Sequence, residues 1–396
     1  MNGKECGKRR FNIKKCYKGR KMEGKRGWLQ KNTYLCMLKG ILKGLETMKP
    51  SDRTTLLTFI TWNLSYLIHI MIEAFVKTRV VGVDISYDET TCAVVDIRGR
   101  ILANEKFSTQ DFPEISGFVN KLTEVIVTIG EASGGFEHIR SVGISSPSGN
   151  YKTGCIENSP NMPWKGVVPL SAMLRDRLGV AVAVGNDAHC IALGEYTYGC
   201  AHGMHDFLVI TIGHGLGGYA FVDRHFLIGS HGFGGELGHS CMVENGRQCG
   251  CGLQGCLETY VAEKGIIQHA KELMAESDQP SLLRNYEQIN PRIVTQCCEE
   301  GDAMAQEVYR RAGHMLGIAM ANYAALLDPE AIIIAGGISK AGKWILEPVQ
   351  KAFNEHIFRN IKGKVKIMLS DLDSRERDVL GASALAWEVK EYSLFK

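Results

Sequence analysis

The sequence runs Glu236-Leu237-Gly238-His239 and then, after nine intervening residues, Cys249-Gly250-Cys251-Gly252-Leu253-Gln254-Gly255-Cys256-Leu257-Glu258. One histidine and three cysteines thus fall within eighteen residues, spaced His-x9-Cys-x-Cys-x4-Cys. Zinc takes four tetrahedral ligands from neutral imidazole and thiolate, and a closed set of this kind is the usual structural site. Gly250, Gly252 and Gly255 alternate with the thiols and let the backbone turn sharply enough for the sulfurs to meet. The plainer alternative is three buried free thiols beside an unrelated histidine. Glu236 and Glu258 frame the run, so a metal knot here would fix two carboxylates in space with a polar ligand between them. The expectation is zinc as scaffolding for a binding site.

The bulk numbers set the frame for that site. At 396 residues, 45% apolar and 22% charged, the chain is long enough for two soluble domains with full cores. Its net charge of +3 conceals a split: residues 1–79 carry 18 Lys/Arg against 5 Asp/Glu, while 80–396 carry 28 against 38. The acidic body is a poor candidate for gripping nucleic acid, so no such partner is expected. Thirteen cysteines, an odd number partly in a metal-type cluster, argue for a reducing compartment, and a cytoplasmic location is expected.

Residues 1–79 read as a basic extension without a defined domain. Residues 1–26 are rich in Lys, Arg and Gly and have almost nothing to bury. A basic lead followed by the apolar run 56–76 could be a signal anchor, but the run is interrupted by Thr61, Asn63, Ser65, His69 and Glu73 and no small-residue cleavage site follows it, so anchoring through 56–76 is the weaker alternative and no membrane partner is expected. A DNA-binding helix-turn-helix has the right charge sign here, but no pair of short amphipathic helices joined by a small-residue turn is found in 30–78.

From Val80 the pattern changes. Strands are predicted at Val80–Asp84, Thr91–Ile97 and Ile101–Phe107, a helix at Ile115–Ile129 and a strand at Arg140–Ile144. A similar order recurs: strands at Asp206–Ile212, Gly217–Val222 and His225–Ile228, helices at 257–275 and 302–327 with Asp302 as a cap, and strands at Ala331–Ala335 and Val365–Leu369. Helix Asp378–Lys390 closes the chain. The repetition implies two α/β lobes, 80–186 with the closing helix 378–390 and 187–377 with the zinc site, around a cleft that would hold the ligand.

Two glycine-rich turns could approach that ligand: Gly213-His214-Gly215-Leu216-Gly217-Gly218, whose amides could surround a phosphate, and Ala335-Gly336-Gly337 after a buried strand. Tight hairpins use glycine anyway, which weighs against reading a ligand into it. Asn186-Asp187 follows the strand Val180–Val184 and heads the helix 188–198. Asp187 is either that helix's N-cap or a carboxylate at the cleft floor, a general base for a hydroxyl.

Together these residues resemble the ROK family (repressor, open reading frame, kinase) of sugar kinases and sugar-responsive repressors. The likeness covers about 80–392 and rests on Glu236-Leu237-Gly238-His239, the cysteine run, Gly185-Asn186-Asp187, Asn158-x-x-Asn161-x-x-Trp164 and Ala335-Gly336-Gly337. The resemblance implies a duplicated actin-like ATPase fold related to ribonuclease H. It also implies zinc on His239, Cys249, Cys251 and Cys256, and a sugar pocket of Asn161, Asn186, Asp187, Glu236, His239 and Glu258. Asp187 would be the base for transfer of the ATP γ-phosphoryl group to a hexose or N-acyl-hexosamine hydroxyl. Asp84 would serve the Mg²⁺ shell, and Gly213, His214, Gly215, Gly336 and Gly337 the nucleotide. Relatives of this kind are often homo-oligomers.

The nucleotide side departs from the family pattern. Asp84-Ile85-Ser86-Tyr87-Asp88 stands where Asp-x-Gly-Gly-Thr is usual, His214 replaces a threonine, and a proline-glycine turn reads Pro147-Ser148-Gly149. A left-handed turn at Ser86 and Tyr87 would cost about 1 kcal/mol or more each. A catalytically impaired sugar-binding regulator is therefore the alternative to a working kinase, and a DNA-binding repressor using residues 1–79 is a third reading.

Overall fold

The computed structural model describes residues 77–159, 162–373 and 376–389. These belong to a compact unit, Val76–Lys396. Asn161, the readings placed on residues 1–76 and the expected end of the closing helix at Lys390 lie outside the described residues. Among the described residues no helix is long and apolar enough to cross a membrane.

The first half begins with β1 (Arg79–Ile85), β2 (Glu89–Asp96) and β3 (Ile101–Ser108), then α1 (Ile115–Ala132) and β4 (Ile139–Ser145). A small sheet follows, β5 (Gly149–Asn150), β6 (Cys155–Glu157) and β7 (Val167–Val168), then α2 (Leu170–Leu178) and β8 (Ala181–Gly185). The second half runs α3 (Asp187–Tyr198), β9 (Phe207–Ile212), β10 (Leu216–Val222), β11 (His225–Phe226), α4 (Glu258–Val261), α5 (Glu263–Glu276) and α6 (Pro291–Glu299). It ends with α7 (Ala303–Leu327), β12 (Ala331–Ala335), α8 (Lys343–His356), β13 (Lys366–Leu369) and α9 (Arg377–Glu388).

The large sheets have orders β3-β2-β1-β4-β8 and β11-β10-β9-β12-β13. Each is an antiparallel meander whose first strand is also the start of a parallel pair of steps. The duplicated α/β architecture expected from the sequence is therefore the observed one.

β1 is apolar on both faces because both are covered. Val81, Val83 and Ile85 join a core with α1, while Val80 packs with Val379 and Leu380 of α9. Phe118, Val119, Leu122, Val125, Ile126 and Ile129 form the buried helical stripe of α1. On the opposite face α9 lies backbone-close to the sheet: a Cβ on Gly82 would stand 2.2 Å from the Val379 carbonyl oxygen, and one on Gly143 2.0 Å from that of Ala382. Asp302 caps α7 as expected, its Oδ1 accepting from Ala305 N at 2.8 Å.

The helix expected at 257–275 is two helices. Ala262 is extended (ψ 179), and the chain folds back so closely that a Cβ on Gly265 would meet the Tyr260 carbonyl carbon at 2.4 Å. The break lets short α4 present Glu258 beside the cysteine run. Helices α2, α6 and α8 and the small sheet are elements the sequence patterns did not predict.

Candidate functional site

The four expected metal ligands converge. Donor atoms of His239, Cys249, Cys251 and Cys256 lie within 4.8 Å of one another. Cys249 Sγ is 3.6 Å from His239 Nδ1, and Cys251 Sγ is 3.7 Å from Cys256 Sγ. Tetrahedral zinc with Zn–S near 2.3 Å would give S···S edges of about 3.8 Å, so this donor set fits the ion. The separation is far beyond a disulfide bond of about 2 Å. Gly255 makes the knot possible: its φ is +78, and a Cβ there would lie 1.7 Å from the Val243 carbonyl oxygen. Gly238 does the same for the histidine, with the Leu216 carbonyl 2.1 Å from any added Cβ.

Around the knot stand the carboxylates. His239 turns its other nitrogen, Nε2, toward Glu236 Oε2 at 3.9 Å. Glu258 Oε2 accepts from Leu216 N at 2.8 Å, and its Oε1 lies 3.8 Å from Cys249 Sγ. Glu258 thus joins the knot to the β9–β10 hairpin, which carries the glycine-rich turn at Gly213–Gly218. Partial burial lifts the Glu236 carboxyl above its ordinary range; His239 counters this, while the charges of Asp187 and Glu258 add to it. Asp187, Glu236 and Glu258 consequently share one region.

Asp187 is the first residue of α3, and its Oδ1 accepts from Ala188 N at 2.7 Å. The N-cap is Asn186, with extended backbone and a side chain accepting from the same amide at 2.9 Å; the reading of Asp187 as the cap is corrected. Asp187 keeps contact with solvent. The protein packed around it still raises its carboxyl above the usual range, the Ala188 amide opposes the rise, and Asp378 adds to it.

Asp84 sits at the end of β1, opposite Ser145 of β4. Burial pushes its carboxyl up to about 7, with Asp378 and Asp187 contributing and Arg377 opposing. Asp378, in the first turn of α9 and 3.0 Å from Arg377 Nη2, is a site residue that the sequence patterns did not mark. Its only signal is an acid at a helix start, which is ordinary.

The first turn corrects an expectation. Ser86 and Tyr87 do not have positive φ; the turn closes instead through Ser86, whose amide and Oγ both donate to Glu89 O at 3.0 and 2.8 Å. The Asp88 carboxylate is tied to Gln110 Nε2 at 3.0 Å. Left-handed backbone appears at the other altered turn, where Ser148 has φ +57.

In the second turn Gly213 N donates to Gly215 O at 2.9 Å, and the exposed His214 imidazole contacts the Glu263 carboxylate. A Cβ on Gly215 would fall 2.6 Å from Glu258 Oε2, so that glycine makes room for the carboxylate. Gly336 is fixed by packing, with φ +96 and the Ile212 carbonyl oxygen 2.3 Å from an added Cβ, whereas Gly213 and Gly337 border open space. Trp164, part of the motif around Asn161, is a core residue: it packs on Phe118 at 4.3 Å and donates to Phe112 O at 3.1 Å.

Comparison with known proteins fits this geometry. The sequence profile of the ROK family matches residues 80–389. A glucokinase of Streptomyces coelicolor is 30% identical over 315 residues, covering 78% of this chain and 97% of that protein. A xylose repressor of Caldicellulosiruptor bescii is 26% identical over 310 residues, 77% of each chain. The structure of a ROK glucokinase from Streptomyces griseus, solved with glucose and AMPPNP, superposes with a TM-score of 0.66 at 30% identity, covering 78% of this chain and all of that one. The fold is accordingly the actin-like ATPase fold of those glucokinases. On the profile, the identity and the superposition together, this chain is a member of the ROK family.

Proposed function

We propose that the protein is an ATP-dependent sugar kinase of ROK type, transferring the γ-phosphoryl group to a hydroxyl of a hexose or N-acyl-hexosamine. The observation that carries this reading is the gathering of carboxylates at one His/Cys knot, Glu236 3.9 Å from His239 Nε2 and Glu258 3.8 Å from Cys249 Sγ, with Asp187 near enough to Glu236 for its charge to be felt there. Glucokinase relatives, one of them solved with glucose and AMPPNP, support it.

In this reading Glu236, Glu258, His239 Nε2, Asn186 and Asn161 hold the sugar hydroxyls. Asp187 takes the proton of the hydroxyl that attacks phosphorus; the raised proton affinity of its carboxyl is in the direction that a general base needs. Amides of His214, Gly215, Gly336 and Gly337 would face the phosphates and offset charge on the transferred group, while the Gly213 amide closes the turn on Gly215 O. His239, Cys249, Cys251 and Cys256 would hold zinc, a structural ion that fixes the imidazole tautomer. Asp84, with Asp378 beside it, would hold Mg²⁺, which neutralises phosphate oxygens when bound. Lobes at 80–186 and 187–377, closing around the substrate, a cytoplasmic setting and a homo-oligomeric state belong to the same proposal.

The test is turnover of a sugar panel with ATP and Mg²⁺. Sugar phosphate is expected, and Asp187→Asn should lower its rate by roughly 10²–10⁴-fold while sugar still raises the melting temperature. A second reading, a sugar-binding regulator, is favoured by the rebuilt first turn, with Ser86, Tyr87 and Asp88 in place of the usual residues, and by a repressor among the relatives. It would replace the first if a sugar stabilises the protein, Mg-ATP does not, and no sugar yields product.

A further inference from the structure

A second cavity, of about 490 Å³, opens between the segment around Arg247 and helices α5 and α7. That volume is typical of small-molecule sites. Its lining includes three guanidinium groups, Arg247, Arg310 and Arg311, but one carboxylate, Glu272. The other carboxylates that engage these arginines, Glu307 on Arg310 and both Glu307 and Glu276 on Arg311, are not part of the lining. They hold the guanidiniums in place. His314 stands one turn beyond Arg310 on the same helical face and is exposed like it.

The opposite wall is built from the metal segment. Arg247 reaches Glu272 at 2.6 Å, Thr259 O at 2.9 Å and His269 Nδ1 at 3.3 Å, and it lies 4.6 Å above the Tyr260 ring. His269 is 6% exposed, with Nε2 3.0 Å from Tyr260 O. Arg247 is two residues before Cys249 and Tyr260 two residues after Glu258, and the two are joined by a 2.9 Å bond from Arg247 N to the Tyr260 hydroxyl. The wall of this cavity is therefore the flank of the metal knot.

We propose that this cavity binds a phosphate-bearing small molecule, and that its occupancy steadies the knot through Arg247 and Tyr260. Each guanidinium is already paired, Arg247 with Glu272, Arg310 with Glu307 and Arg311 with Glu307 and Glu276, so a phosphate would join this network through the N–H groups these carboxylates leave over, five donors being present on each arginine. Tyr260 and Met315 add apolar surface on which a ring attached to the phosphate can rest. The inference is independent of the kinase reading, since a regulator with the same cavity would respond in the same way.

The test uses the full-length, metal-loaded chain and three probes: inorganic phosphate, glucose 6-phosphate and glucose. Calorimetric titration should show saturable binding of at least one phosphate-bearing probe. Binding of inorganic phosphate alone defines a simple anion site, whereas selective binding of glucose 6-phosphate that persists with saturating glucose in the sugar site assigns the ring to the Tyr260 surface. The double variant Arg310→Ala/His314→Ala changes exposed positions, and should weaken that binding at least tenfold while metal content and any glucose-induced thermal shift stay as in the wild type. Bound phosphate probe should also slow extraction of the metal by a chelator severalfold in the wild type and not in the variant. Absence of binding by both phosphate-bearing probes, or equal binding in the double variant, overturns the proposal.

Discussion

Ser148 holds φ +57 in a turn where the family usually has glycine. A side chain in left-handed backbone costs about 1 kcal/mol, and glycine returns part of that as greater freedom of the unfolded chain. Ser148→Gly should therefore raise the unfolding free energy by about 0.5–1 kcal/mol, read from the urea midpoint. Tyr87→Gly should bring no such gain, because Tyr87 is not left-handed; equal gains at both positions would refute this assignment of strain. His189 carries a different liability. It is 2% exposed, stacked 4.4 Å from Tyr219 and edge-on to Tyr151 and Phe226. Burial lowers its affinity for protons, to a pKa of about 3. The unfolded chain, with an ordinary histidine near 6.5, takes the proton first, so this stability is full above 6.5 and is lost as pH falls toward 3. Between pH 6.5 and 5 the loss should reach about 2 kcal/mol, and His189→Phe, which keeps the stacking, should remove that part of the slope. An unchanged slope would place the acid sensitivity elsewhere. At this scale the sequence was legible where chemistry is unusual: four metal-type side chains at short spacing could be read, whereas Asp378, a common acid at a helix start, could not. Nor could the division of labour between Asn186 and Asp187, since either residue type caps helices well.

The same contrast holds for secondary structure. The strands of both large sheets were legible because short apolar runs of β-branched residues, bounded by turns, suit little besides a buried strand. Helix α8 was not, since Pro348 within it reads as a breaker. The structure packs the proline directly on α7: a Cβ on Gly313 would stand 2.7 Å from Pro348 Cβ, and one on Gly317 2.5 Å from the Val349 carbonyl oxygen. Two glycines a turn apart let the helices cross with backbones nearly touching. Intrinsic helix propensity favours alanine over glycine by about 1 kcal/mol, but overpacking a tight crossing costs about 1–3 kcal/mol. The backbone contact at Gly317 cannot rotate away, so the steric cost wins there. Gly317→Ala should lower the unfolding free energy by about 1–2 kcal/mol in chemical denaturation. A stabilised variant would mean that the helices separate easily and that propensity decides.

For the molecule as a whole, the His/Cys knot is set beside the two large cores, with Leu257, next to Cys256, a member of one of them. None of His239, Cys249, Cys251 and Cys256 belongs to the core around β1, β4 and α1 or to the core built on β9 and β12 with α5, α7 and α8. Leu237, Met242 and Leu257 anchor the irregular segment from Glu236 to Glu258 to one of these cores, and a zinc ion on the four ligands would fix the rest of its path. Glu236 precedes His239 by three residues and Glu258 follows Cys256 by two, so a metal held by the knot would help to set the positions of both carboxylates. Extracting the metal should therefore leave far-UV circular dichroism nearly unchanged while abolishing the thermal shift given by the preferred sugar. At a sugar concentration of 100 Kd that shift corresponds to about 2.7 kcal/mol, a loss well within calorimetric reach. Restoring one equivalent of zinc should restore the response. A metal-free chain that still responds to sugar would show that protein contacts, the bond from Leu216 N to Glu258 among them, suffice to hold the two carboxylates, and the knot would then be a stabilising staple beside the site rather than its frame.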